Sequence, residues 1–371
     1  MNIERTLLDL ETAGNLRRIP DDANARRLAD FSSNDYLGLA ADEDLRREFL
    51  ESHDVSNLWM TASTSRLLAG NQGPFARLEN LLGDLYGAPA LLFNSGYHAN
   101  TGLIQALADS RTLIVADRLV HASIIDGIRL SGAPFERFRH NDTAHLARIL
   151  STKASAYDNI LIIVESVYSM DGDSAPLMEI AALKADTPGA MLYVDEAHAV
   201  GVHGPGGLGL CAADGLLNDV DILVGTMGKA LASSGAFAIL RGNLREFMVN
   251  RARSLIFSTA LPPACAEWSM LTLRKAIAAD DLRRRLAELA GMLSKSLGGE
   301  PSHIMPLIVG DPLRAVAMSE RLADAGFKVL PIRTPTVPPG TERLRFSLSA
   351  SMPPALVARL CRTLDKINRP S

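Results

Sequence analysis

Several residues in this sequence are of types, and at spacings, that do chemistry. Lys229, in DILVGTMGKALASSGAFAIL, is the only charged residue from Ile222 to Leu240. Burying a lone ammonium is costly, so its pKa falls and the amine becomes a nucleophile suited to Schiff-base formation. The alternative is a lysine whose tip escapes to solvent at a strand end. In MLYVDEAH an apolar run delivers Asp195 and His198 together. An ionised Asp there can hold a heterocyclic nitrogen in its protonated form while the His reaches a neighbouring oxygen, or Asp195 can simply cap a turn. FNSGYHAN places Ser95, Gly96 and Tyr97 where a strand turns into a helix. The first amides of a helix lack intrahelical acceptors, which makes this either an anion cradle suited to phosphate or an ordinary capped start. His121, in ADRLVHASIIDG, stands at a similar junction, placed to stack on a planar ligand or to satisfy a helix end. Arg345 alternates with Leu344 and Phe346 not far beyond Arg333, and an arginine among apolar neighbours often grips a carboxylate.

Other chemistries fail on particular positions. A phosphate loop ending at Lys229 needs glycine where Leu223 stands and Ser or Thr where Ala230 stands. A hydrolase elbow at Ser95 needs glycines at Phe93 and Tyr97. Gly204, Gly206 and Gly209 match GxGxxG but lie about ten residues past the strand, so they read as a loop beside a pocket rather than a dinucleotide turn. A metal set of Asp195, Glu196, His198 and His203 lacks the HExxH helix or cysteine pair that would support it, and no metal is expected. Cys211, Cys265 and Cys361 are too few and too scattered for a disulfide framework, which fits a reducing cytoplasm. With 42 acidic and 38 basic residues there is no positive field for nucleic acid, and no apolar run reaches membrane-spanning length.

These residues need elements to position them. Val-, Ile- and Leu-rich runs at Ala90 to Phe93, Thr112 to Ala116, Ile160 to Val164, Met191 to Val194, Ile222 to Val224 and Ala236 to Leu240 read as strands buried on both faces of a largely parallel sheet. The segments between them are helical. In PFARLENLLGDLYG, Phe75, Leu78, Leu81, Leu82 and Leu85 form an apolar stripe, with Arg77, Glu79 and Asp84 expected on the solvated face. A long helix from Pro262 to about Leu297 links to a smaller α+β domain containing HIMPLIVG, KVLPIR, RLRFSLS and a last helix. The expected division is an N-terminal segment 1–45, a large domain 46–265 and a small domain 266–371 that includes the linking helix.

Phosphate cradle, stacking His, Asp for a ring nitrogen and buried Lys, in that chain order, resemble the pyridoxal-phosphate enzymes of the aspartate-aminotransferase fold (fold type I). More closely, FSSNDYLGLA, ALLFNSGYHAN, ADRLVHASIIDG, ESVYSMDGDSAPL, YVDEAHAVGVHG, GTMGKAL and RTPTVPPGTERLRFSLSA resemble the α-oxoamine synthases, across nearly the whole chain. That resemblance implies an α/β large domain with a mostly parallel seven-stranded sheet, a small α+β C-terminal domain and pyridoxal 5'-phosphate as cofactor. It makes Lys229 the Schiff-base lysine, Asp195 the partner of the ring nitrogen, His198 a donor to the phenolic oxygen and His121 the stacking ring. It gives the phosphate to the Gly96 and Tyr97 amides and Thr226, places Ser169 near the cofactor, and assigns Arg345, Asn34 and Arg18 to substrate. It also implies a homodimer with shared active sites, Ser258 and Thr259 reaching the partner's cofactor phosphate, with no nucleic-acid or membrane partner. A reading within one chain has Ser258 and Thr259 cap the helix after Pro262. SMDGDSAPL, HNDTAHL and PTVPPGTERLR are most similar to the branch that joins L-alanine to a pimeloyl thioester, on CoA or acyl carrier protein. Members using glycine or serine are the alternative. Four departures stand out: Thr61 to Arg66 in place of GSGGSR, Phe75 in place of a histidine, Ala232 in place of a glycine, and Phe257 in place of an aromatic hydroxyl.

Overall fold

The computed structural model describes residues 2–19, 28–69 and 73–367. Its strands in chain order are β1 (Ala29–Asp30), β2 (Ala90–Phe93), β3 (Thr112–Asp117), β4 (Phe135–Phe138), β5 (Asn159–Glu165), β6 (Ala190–Asp195), β7 (Ile222–Thr226), β8 (Ala236–Leu240), β9 (Ile304–Ile308), β10 (Phe327–Lys328), β11 (Leu330–Ile332) and β12 (Arg343–Ser347). The chain divides into two compact units: a large one of Leu37–Tyr168 and Ser174–Asp280, and a small one of Met1–Tyr36, Ser169–Asp173 and Asp281–Ser371.

The large unit carries a seven-stranded sheet in the order β2-β8-β7-β6-β5-β3-β4. Pairing is parallel from β4 through β7, and β8 runs antiparallel to both β7 and β2. Helices on both faces withdraw the central strands from water, which is why β3 and β5 to β8 are made of almost unbroken apolar residues. Leu103, Ile104, Ile114, Ile163, Tyr193 and Val224 lie within one apolar cluster that joins sheet and helices. Parallel register also brings the C-terminal ends of the strands to one edge: Glu165 stands opposite Asp195, and Asp195 opposite Val224. Ligands of open α/β sheets bind at that edge.

Six of the seven strands are those expected from the apolar runs. The seventh, β4, reads FERF and alternates between exposed and covered positions, because an edge strand has one neighbour and can carry charge. The helix Gly73–Tyr86 buries Phe75, Leu78 and Leu82 as expected, but Glu79 is buried too. It is not on a solvated face: its carboxylate accepts from Arg66 Nη1 (2.9 Å), Arg245 Nη2 (3.0 Å) and the Leu92 amide (3.1 Å). Two guanidinium partners and a backbone donor make that burial tolerable.

In the small unit, β9, β12 and β11 form an antiparallel sheet in the order β11-β12-β9, and β1 pairs in parallel with β10. The division therefore falls elsewhere than at residues 45 and 265. The N-terminal segment is not a body of its own, because Ala29 pairs with Phe327 and Asp30 with Lys328. The linking helix is two helices, Pro263–Ile277 and Asp280–Leu297, and the units part at the break between them. Gly172 fixes the inserted segment Ser169–Asp173 in this unit: its φ is +72°, and a Cβ there would lie 1.9 Å from the Ile304 carbonyl oxygen. Among the described residues no helix is long and apolar enough to cross a membrane.

Candidate active site

The helix Gly96–Leu107 follows β2 directly, with Ser95 as its N-cap, Oγ accepting from the His98 amide. The Gly96 and Tyr97 N–H groups head the helix, without intrahelical acceptors and at the positive end of its dipole. A Cβ added to Gly96 would meet no atom within 4 Å, so the cradle is open on that side.

One turn further on, Asn100 organises the floor of the site. Its Nδ2 donates to Asp195 Oδ2 (2.8 Å) and to Ser123 Oγ (2.9 Å), while its Oδ1 accepts from the Tyr193 hydroxyl (2.6 Å). The other oxygen of Asp195 accepts from the Ala197 amide at 2.9 Å. Thus Asp195 caps a turn and also ends β6 as a carboxylate with a donor on each oxygen, the arrangement that favours its charged form.

His121 is the N-cap of the helix Ala122–Ser131, its Nδ1 accepting from the Ser123 amide (3.2 Å) and lying 2.7 Å from Ser123 Oγ. Burial holds this imidazole below the usual histidine value; Asp195 opposes that shift and Lys229 adds to it. A ring whose Nδ1 is an acceptor is neutral, which suits stacking on an aromatic ligand. Lys229 follows β7, and its Nζ lies 2.7 Å from His198 Nε2. Thr226, the last residue of β7, accepts from the Gly228 amide and donates to the Gly235 carbonyl. Hydrogen bonds thus link the cradle helix to Asp195 and His121, and a second contact joins Lys229 to His198. Glu196 is diverted from any metal set, since its carboxylate takes Ser166 Oγ (2.7 Å), the Leu210 amide (3.0 Å) and the Cys211 amide (2.7 Å).

Arg345, Asn34 and Ser169 belong to the small unit and come together there. The Arg345 guanidinium donates to the Ser169 carbonyl, to Asn34 Oδ1 (3.1 Å) and to Ser347 Oγ (2.6 Å). Arg18 is not with them; it is exposed and paired with Glu11 at 2.9 Å. Ser258 and Thr259 do not cap the helix Pro263–Ile277, whose N-cap is Pro262 without a side-chain bond. Instead Asn94 Nδ2 donates to Ser258 Oγ (2.9 Å) and to the Thr259 carbonyl (2.5 Å), one residue before the cradle's Ser95.

Sequence reading did not find Asn100, Ser123 or Tyr193. A polar residue inside an otherwise apolar helix face was the available signal for Asn100, and a Tyr inside a buried strand for Tyr193. Two of the departures are now explained as backbone strain. Ser63 and Ala232, where the resemblance leads one to expect glycine, hold φ of +58° and +47°. A Cβ in the left-handed region costs roughly 1–2 kcal/mol, offset by about 0.4–1 kcal/mol from the greater freedom of glycine in the unfolded chain. Ala232→Gly is therefore expected to stabilise the protein by about 0.5–1 kcal/mol. Urea denaturation of the cofactor-free protein measures this, and a loss of stability would show that the turn after Lys229 is unstrained.

The donor set fits pyridoxal phosphate: an open helix terminus for the phosphate, an ion-favouring carboxylate, two imidazoles and a lysine amine, all in the large unit. Comparison with known proteins agrees. Residues 26–364 match the family model described as aminotransferase class I and II. The 8-amino-7-oxononanoate synthases of Chlorobaculum parvum and Haemophilus ducreyi are each 46% identical, over 92% of this chain and 90% of the former, and over 89% of this chain and of the latter. Among solved structures, a serine palmitoyltransferase from S. paucimobilis with PLP–myriocin bound superposes with a TM-score of 0.86 at 32% identity, covering 91% of this chain and 87% of that one. With cradle, carboxylate and lysine placed on a fold type I scaffold and the family model running from residue 26 to 364, the chain belongs to the aminotransferase class I and II family and is a pyridoxal-phosphate-dependent enzyme.

Proposed function

We propose that this enzyme joins L-alanine to a pimeloyl thioester, carried on CoA or acyl carrier protein, to give 8-amino-7-oxononanoate for biotin synthesis. The names of its 46%-identical relatives support the choice of product. The observation that carries the chemistry is the Lys229 amine 2.7 Å from His198, after a strand whose neighbour ends in Asp195.

In the overall reaction a bond forms between the α-carbon of alanine and the thioester carbonyl, the thiol leaves, and the alanine carboxyl departs as carbon dioxide. Bound pyridoxal phosphate supplies an electron sink for the α-carbanion. The Gly96 and Tyr97 amides with Thr226 hold its phosphate, Asp195 keeps its ring nitrogen protonated, His198 bonds its phenolic oxygen, and His121 covers the ring. Lys229 anchors the cofactor between turnovers; as a neutral amine, its Nζ takes the α-proton of alanine and later returns a proton. Arg345, oriented by Asn34, Ser347 and the Ser169 carbonyl, takes the amino-acid carboxylate through two parallel N–H bonds.

The enzyme works as a cytoplasmic homodimer, with Ser258 and Thr259 serving the partner's cofactor phosphate. Support comes from exposed Trp59, Met60, Leu68 and Phe257, on segments tied together by the Ser65–Thr259 bridge and the Ala264-to-Trp59 backbone bond. Large apolar side chains gathered in this way call for cover. Pairing alanine, glycine and serine with a panel of acyl thioesters tests the substrate assignment. The expected result is carbon dioxide release with alanine and the pimeloyl thioester at least about tenfold faster, as kcat/KM, than with the other pairs, the discrimination a pocket achieves for one or two carbon atoms. Preference for serine and a long acyl chain would instead align the enzyme with the serine palmitoyltransferase that it resembles in structure.

A further inference from the structure

Glu165 closes β5 and has no task in the chemistry above. Its register partner is Asp195, so the two carboxyls leave neighbouring strands on the same face, with backbones about 4.8 Å apart. Both are almost withdrawn from water, Glu165 at 3% exposure and Asp195 at 5%. Two carboxyls so placed do not both ionise, and hydrogen bonding decides which one does. Asp195 has a donor on each oxygen, from Asn100 and Ala197. Glu165 receives the His121 backbone N–H, while its Oε1 is buried without a partner among the described residues. The donors that favour negative charge are gathered on Asp195.

We propose that Glu165 is a neutral carboxylic acid in the working enzyme, a positioning residue whose neutrality leaves Asp195 the single anion beneath the bound cofactor. The charged and titratable groups facing it are Asp195 on β6, Lys229 beyond β7, Asp117 at the end of β3 and His121 after it. Burial and then Asp195 push the Glu165 carboxyl well above the usual range, Lys229 opposes them, and Asp117 adds to them. Were Glu165 ionised, a second negative charge would raise the proton affinity of the Lys229 amine, which must be neutral to act as a base. The inference rests on the site holding pyridoxal phosphate and is independent of which acyl thioester reacts.

Infrared difference spectra of the wild-type holoenzyme against Glu165→Gln test it. The expected difference at neutral pH is loss of one protonated-carboxyl C=O stretch; loss of carboxylate stretches instead would overturn the proposal. A second readout is the pH midpoint of the visible band of the bound cofactor. Exchange of a neutral acid for a neutral amide should move it by less than about half a unit, whereas removal of a nearby negative charge shifts a pKa by about one unit or more. Any shift above half a unit counts against neutrality. Should the variant not fold, titration of the wild type decides, since the carboxyl band must persist to about pH 8 for an acid this buried, and its disappearance below neutrality overturns the idea. If wild-type protein bound no cofactor, that would strike at the reading of the site alone, and the infrared comparison would still run on the cofactor-free chain.

Discussion

Replacing Lys229 by alanine is expected to leave pyridoxal phosphate bound but to abolish its covalent attachment, with turnover down roughly a thousandfold or more. The Gly96 and Tyr97 amides and the hydrogen-bonded carboxylate of Asp195 survive the change, so noncovalent affinity remains. What disappears is the amine 2.7 Å from His198, which serves both as covalent anchor and as base. Residues that fill two roles in one cycle give losses of this size when removed. Borohydride reduction followed by peptide mapping checks the assignment: the label should sit on Lys229 in the wild type and be missing from the variant. A label on any other lysine would sink it.

Asp195→Asn is expected to slow exchange of the alanine α-proton about 10- to 150-fold while the fold persists. Two effects combine. A neutral amide cannot hold a buried ring nitrogen in its charged form, and hydrogen bonds to charged groups contribute about 1.5–3 kcal/mol. In addition, both Asp195 oxygens now face N–H donors, Asn100 Nδ2 and the Ala197 amide, so an amide must turn its own NH2 group against one of them. Proton NMR of alanine in deuterated buffer measures the rate. A change smaller than about threefold would mean that the carboxylate does not support the ring.

Much of this site was legible because its residues break a pattern. A single charge in nineteen residues marks Lys229, and an acid at the end of an apolar strand marks Asp195. The strands were legible for the complementary reason, since burial on both faces leaves them almost free of polar residues. Legibility ends where a polar residue's partner is distant in the chain. Glu79 looks like one more charge on a helix until Arg66 and Arg245 are brought to it. Asn100 looks like an ordinary helix residue until Tyr193 and Asp195 arrive 93 and 95 residues later. The unit boundary was misplaced for the same reason: helical periodicity does not report a break at Ala278–Ala279, and no local signal says that Ala29 will pair with Phe327.

That last pairing constrains how the protein is made. β1 leaves the ribosome early, yet its partner β10 is roughly 300 residues behind it. At about 5–20 residues per second, the first strand waits some 15–60 s for the chain that completes it. The large unit can fold during this interval, because its last residue is Asp280; the small unit, built from both ends of the polypeptide, is finished only near the close of translation. Phe31, fully buried in the finished protein, stands uncovered throughout, a place where a nascent-chain chaperone would bind.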